Sequence, residues 1–257
     1  MNSPAEIVIY QPGKVGSSAI AFALERAGFS VAHVHMLNEK RLRALASRCA
    51  ERGEEAPPYI EEAFRIRKDY IEPGRRMIVV CAVRDPVARN LSAFFENIEI
   101  FCPDWRRLKK RDLPSVAACF FETYPHHVAT EWFDLEFRDV LDIDVYASPF
   151  SHDEGYGRYS SSSAEALVLR AEDSNEKKQR ALTAFLNVEN INLRNENKSA
   201  RRPWGDVYGK IKKQIVFPDA YLDEMYGSKM AKYFYTDNER AAFRENLAPA
   251  GMERSTL

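Results

Sequence analysis

The chain of 257 residues is poor in features that would settle its class at a glance. Its cysteines are Cys49, Cys81, Cys102 and Cys119, with no Cys-x-x-Cys pair and no histidine at metal-finger spacing. That excludes a disulfide scaffold or zinc finger as the organising principle and points to a reducing compartment. Net charge is almost absent: 37 Lys plus Arg against 38 Asp plus Glu give −1. Such a balance argues against a partner as anionic as nucleic acid while leaving room for a local basic cleft. No apolar run approaches the roughly 20 residues that span a bilayer, so no membrane span is expected. The first residues show no basic segment followed by an apolar core, so a signal peptide is not expected and a cytoplasmic location is.

What is present suits a globular enzyme. Hydrophobic residues make up 45% and charged residues 29%. A chain of this size buries roughly 70–75% of its extended surface on folding. No internal repeat and no domain boundary is evident, so one α/β domain over residues 1–257 is expected. Helical and loop insertions fall around 100–165, and the C-terminal region is helical.

Residues 5–10 read as a β-branched strand and 11–16 as a glycine-bearing turn. Residues 17–27 have a helical period, with Ile20, Ala23, Leu24 and Ala27 on one face. Residues 31–35 read as a second strand. The result is a strand–loop–helix–strand unit of a doubly wound sheet. Helices are expected at 39–51 and 59–70. Met77 to Val83 are consecutive apolar residues, as in a central parallel strand covered on both faces. A helix should run from Pro86 to about Glu96, with Asp85 as its cap and Pro86 in its first turn. Residues 103–112 read as a polar loop or lid, 114–124 and 130–141 as helices, and 143–149 as extended. Residues 152–163, rich in glycine and serine, read as a flexible surface loop. A further strand is expected at 166–169 and a helix at 175–185, then short helices at 218–225, 228–234 and 238–246.

Two places carry chemistry. In Pro12-Gly13-Lys14-Val15-Gly16-Ser17-Ser18 the glycines let successive N–H groups converge, and the next helix offers its N-terminal N–H groups and positive dipole end. Lys14 adds a mobile charge and Ser17 and Ser18 add hydroxyls. The order differs from the nucleoside-triphosphatase loop, where lysine follows the second glycine. No acidic residue is evident at a strand end to hold Mg²⁺, so a cation-free phosphate grip is the better reading. The alternative is a tight turn with a helix cap. The second place is Arg84, at the carboxyl end of the central strand, with Ser92 eight residues on. A guanidinium fork with a hydroxyl suits a second phosphate. Arg84 could instead pair with an acid, and Arg89 reads as a structural ion-pair residue.

These residues resemble the two donor-binding motifs of sulfotransferases that use 3′-phosphoadenosine 5′-phosphosulfate. Residues 14–18 are similar to the family's loop for the 5′-phosphosulfate, and Arg84 with Ser92 to its pair for the 3′-phosphate. Trp132-Phe133-Asp134-Leu135-Glu136, Ile143-Asp144-Val145-Tyr146 and Lys232-Tyr233-Phe234-Tyr235-Thr236-Asp237 resemble a sulfotransferase-like bacterial subgroup described as putative capsular polysaccharide synthesis proteins. The resemblance implies a P-loop-like three-layer α/β sandwich with a central parallel sheet. It also implies sulfuryl transfer to a hydroxyl-bearing acceptor, a carbohydrate by the subgroup's description, leaving adenosine 3′,5′-bisphosphate. No metal would be needed. Lys14 would neutralise the leaving phosphate, and Ser92 would hold that lysine between turnovers. Lys14, Val15, Gly16, Ser17, Ser18, Arg84 and Ser92 would bind the donor. In the family a downstream basic segment closes over the 3′-phosphate; here 197–205 is the candidate, through Lys198 or Arg202.

A general base is needed for the acceptor. His33 and His35 flank Val34 and are expected on opposite faces of the strand. His35 is preferred, being nearer the cleft; Asp134 and Glu136 are the rivals. His126 and His127 read as surface turn residues, and Trp105 and Trp132 as either acceptor-pocket or buried structural residues. Two other functions stay open. One is a nucleotide-binding scaffold without turnover, the other a nucleoside-triphosphate-dependent phosphotransferase.

Overall fold

The computed structural model describes residues 5–53, 55–107, 113–189, 191–194 and 204–247. They form two compact units, Met1–Arg84 with Glu131–Asn195, and Asp85–Thr130 with Glu196–Leu257.

The first unit is built on one sheet of β1 (Ile7–Tyr10), β2 (Val31–Val34), β3 (Met77–Val83), β4 (Tyr156–Ser160) and β5 (Ala164–Arg170), ordered β2-β1-β3-β5-β4. β1, β2, β3 and β5 run parallel; β4 pairs antiparallel with β5 at the edge. Alternation along each strand makes two apolar faces. Ile7 and Ile9, Val80 and Ala82, and Leu167 and Leu169 share one core with Ile20, Ala23 and Leu24 of helix α1 (Ser17–Arg26). Ala181 and Leu182 of the helix Asn175–Leu186 complete it. On the other face the Tyr10 ring meets Trp132 edge-on at 4.9 Å and Phe137 at 5.6 Å. Helices therefore cover both faces, which is why β3 reads as an unbroken apolar run.

Helices α2 (Glu39–Glu51) and α3 (Pro58–Ile66) follow β2. The Asn38 side chain caps α2. The expected helix 59–70 ends its regular part at Ile66 and widens into a π-type turn over Arg67–Ile71. A second π-type stretch, Phe133–Arg138, continues Val128–Trp132. It carries Glu136, which is wholly buried. Glu136 accepts hydrogen bonds from Leu37 N (2.8 Å), Asn38 N (2.9 Å), the Tyr10 hydroxyl and the Arg41 guanidinium. Burial, then the neighbouring carboxylate, holds the Tyr10 hydroxyl well above its ordinary pKa, so it stays a donor.

The reading of 152–163 as a flexible loop is overturned: Tyr156–Ser160 is strand β4. Gly155 turns the chain into it at φ 75°, and a Cβ there would sit 1.9 Å from Asp173 Oδ2. The expected extended segment 143–149 contains a short 3₁₀ turn, Val145–Ala147, capped by Asp144.

The second unit is helical among its described residues. Helix α4 (Pro86–Glu96) is capped by Asp85, which accepts from Val87 N at 2.9 Å. Its buried side includes Leu91, Phe94 and Phe95, which pack with Phe120, Met225 and Tyr226. His126 belongs to this aromatic interior rather than the surface: its ring lies 4.7 Å from Phe120 and 4.8 Å from Tyr221. Arg89 is buried and donates to Tyr124 Oη at 2.8 Å.

The buried Glu136 network sets one expectation. Removing one partner of a buried charged pair costs roughly 3–5 kcal/mol. Glu136→Gln should lower the unfolding free energy by about that much in urea titrations. Asp134→Asn, which removes the partly exposed pair with Arg138 at 2.8 Å, should cost under about 1 kcal/mol.

Candidate functional site

Parallel strands end on a common edge. β1 sits between β2 and β3, so the connection to β2 leaves on one side and β3 is reached on the other. At such a switch point the outgoing loops diverge and leave a crevice, where ligands of open α/β sheets bind. The turn 11–16 and Arg84 follow the two strands that flank it.

The turn is held in an uncommon conformation. Gly13, Lys14 and Gly16 have φ of 79°, 63° and 80°. For lysine the left-handed region costs about 1–2 kcal/mol, so its surroundings must over-determine it. Gly16 occupies the cap position of α1, which has no side-chain cap and no acid in its first turn. Val15 and Ser17 are buried and Ser18 is exposed. Arg84, half-buried, donates from Nη1 to the Lys14 carbonyl oxygen at 2.9 Å. Among the described residues its charge has no carboxylate partner. The two stretches that carry the motifs thus meet at one edge of one sheet.

Gln11, which nothing in the sequence singled out, lies at the centre of this edge and is fully buried. Its Oε1 accepts from Gly13 N at 2.5 Å. Its Nε2 lies 2.8 Å from His33 Nε2 and 3.0 Å from His35 Nδ1. Ser17 Oγ is 3.0 Å from His33 Nε2. The expectation that His33 and His35 point to opposite faces is therefore wrong. Residues two apart on a strand share a face, and the two rings stand 5.1 Å apart against the same carboxamide. Burial, and secondarily the neighbouring His35, pulls the His33 pKa down to about 4. His35 is half-buried beside the exposed Tyr59, with rings 5.9 Å apart.

The rival bases are placed differently. Glu136 is enclosed and engaged by the donors described above. Asp134 pairs with Arg138. Trp132 is a structural residue: it is buried, and its Nε1 donates to the His35 carbonyl at 2.9 Å. That bond holds the strand end carrying His35. Acidic residues do follow a strand at this edge, contrary to the sequence reading: Glu172 and Asp173 come just after β5. Asp173 is bound bidentately by Arg170, 2.9 Å to each oxygen. Ser92 belongs to the second unit, where it is buried within α4. Lys198 and Arg202 lie outside the described residues.

The class these features define is an α/β protein with a glycine- and lysine-bearing turn at the carboxyl edge of its parallel sheet. A family model described as putative capsular polysaccharide synthesis protein matches residues 116–236. The match covers the motif segments at 132–136 and 143–146 and all but the last residue of 232–237. No match was found among curated proteins or among solved structures.

The histidine cluster makes stability depend on pH. An unfolded His33 takes up a proton near pH 6.5, whereas the folded one resists until about pH 4. The neutral folded form is favoured above pH 6.5. That advantage should drain away as the pH falls from 6.5 to 4, by roughly 2–3 kcal/mol. His126, lowered by burial, acts in the same direction. Urea midpoints followed across this window should fall less steeply for His33→Asn than for the natural chain.

Proposed function

We propose that the chain is a sulfotransferase-like enzyme that moves a sulfuryl group from 3′-phosphoadenosine 5′-phosphosulfate to a hydroxyl of a saccharide acceptor. The observation that carries this reading is the meeting of the left-handed turn at Gly13, Lys14 and Gly16 with Arg84 at the sheet's switch point. A turn of this kind leading into a helix offers backbone N–H groups and a dipole end to an anion. A guanidinium lacking a carboxylate partner among the described residues adds charge beside it. The saccharide rests on the description of the family matched over 116–236.

In this reading the turn, with Val15, Gly16, Ser17 and Ser18, holds the 5′-phosphosulfate, and Arg84 takes the 3′-phosphate. Ser92, Lys198 and Arg202 enter through the motif resemblance alone. The acceptor oxygen attacks sulfur in line. The bond from sulfur to the bridging phosphate oxygen breaks, and the electron pair leaves with adenosine 3′,5′-bisphosphate. Lys14 neutralises the charge growing on that oxygen in this reading, a stabilisation larger in the transition state than in the ground state. His35 takes the acceptor proton.

Transfer of labelled sulfate from the donor to capsular-type oligosaccharides, with EDTA present, is the test. Product should form, and Lys14→Ala should cut turnover by about 10²–10³. His35→Ala should lower turnover at least about a hundredfold with nucleotide affinity nearly intact. Arg84→Ala should weaken binding of adenosine 3′,5′-bisphosphate by about 10–100-fold and the 5′-phosphate analogue far less. No transfer at all, transfer that EDTA abolishes, or full turnover by the Lys14 variant would each defeat the assignment.

A further inference from the structure

We infer that Gln11 and His33 are positioning residues for the 11–16 turn: the Gln11 carboxamide bridges the Gly13 N–H to Nε2 of a neutral His33, and a proton on that nitrogen releases the turn. Gly13 fixes the orientation of the carboxamide. A backbone N–H only donates, so the carboxamide atom 2.5 Å from it must be the acceptor, Oε1. The other end is then the NH₂ group, which carries two N–H bonds and accepts nothing. It faces His33 Nε2 at 2.8 Å, so that ring nitrogen presents its lone pair and the ring proton sits on Nδ1. The Ser17 hydroxyl, 3.0 Å from the same Nε2, also donates to it. His35 Nδ1 is met twice by Gln11, at 3.0 Å by Nε2 and at 3.2 Å by the backbone carbonyl oxygen. Gln11 therefore claims that nitrogen in either tautomer of His35.

An imidazolium at His33 breaks this arrangement. Nε2–H would confront a Gln11 N–H at 2.8 Å, donor against donor. Rotating the carboxamide by half a turn relieves that clash and creates another, since NH₂ would then face the Gly13 N–H at 2.5 Å. No orientation of the carboxamide serves both neighbours: the first keeps the Gly13 bond only against a donor–donor clash at His33, and the second gives that bond up, so protonation of His33 weakens the hold on Gly13. The groups facing His33 come from the end of β1 (Gln11), from α1 (Ser17) and from β2 (His35). Of these His35 is the titratable one. Its positive form disfavours a second charge on His33.

The mechanism rests on the proposed function only for what the turn binds. Its test needs no donor, acceptor or turnover, so the two ideas fail separately. Long-range proton–nitrogen correlation spectra of the full-length ¹⁵N-labelled protein at neutral pH should show His33 with Nδ1 protonated and Nε2 bare. Gln11→Glu keeps an oxygen for Gly13 but turns a carboxylate oxygen towards His33. That should raise the His33 titration midpoint by about one unit or more. As the natural protein is acidified through the His33 titration, the protection of the Gly13 amide, its exchange rate measured against the intrinsic rate at each pH, should fall by about tenfold, the loss of one hydrogen bond. A protonated Nε2 at neutral pH in the natural chain would overturn the inference without any variant being made. So would an unchanged midpoint in a folded Gln11→Glu protein.

Discussion

A carboxylate shut away from water must find its donors inside the protein, and Glu136 does so in a way that sets the whole carboxyl edge of the sheet. Its oxygens receive the Tyr10 hydroxyl from the last residue of β1, two backbone N–H groups from the connection after β2, and the Arg41 guanidinium from α2. The ends of β1 and β2 and the start of α2 are thereby tied to one side chain on a π-type turn. Such widened turns re-aim a side chain that a regular helix would direct elsewhere. Tyr10 precedes Gln11, and Leu37 follows His35 by two residues, so the anchored atoms adjoin the polar cluster directly. Trp132, on the same helical stretch, reinforces this through the His35 carbonyl.

With these strand ends held, the turn can be kept in a conformation it would not choose alone. Three left-handed residues in four positions make a compact bend whose lysine bears a conformational cost. The Gln11 carboxamide pulls Gly13 inward, and Arg84 holds the Lys14 carbonyl from the neighbouring strand end. A bend tied at two adjacent residues is preorganised, and a preorganised site spends little of a ligand's binding energy on its own ordering.

Some of this is legible in the sequence alone. β3 was readable because a strand covered on both faces has no polar alternation to hide it, and α4 because Asp85-Pro86 marks its start chemically. The turn between β1 and α1 was readable because only glycine enters the left-handed region freely. β4 was not readable: Tyr156-Gly157-Arg158-Tyr159-Ser160 has glycine and serine where a strand normally has branched residues, and its pairing with β5 is what makes it one. His126 reads as a turn residue because Tyr221, which closes the aromatic interior over it, is remote in sequence.

The sequence by itself determined the strand–turn–helix order, the apolar faces and the chemistry available in residues 12–18 and at Arg84, because these depend on local periodicity and on which backbone angles a residue tolerates. Tertiary structure alone decided that Gln11, Ser17, His33 and His35 form one hydrogen-bonded cluster, and that Glu136 anchors the edge rather than serving as an exposed base. A hydrogen bond depends on positions in space. A carboxylate's role depends on which donors surround it, and for Glu136 those come from residues 95 to 126 positions away.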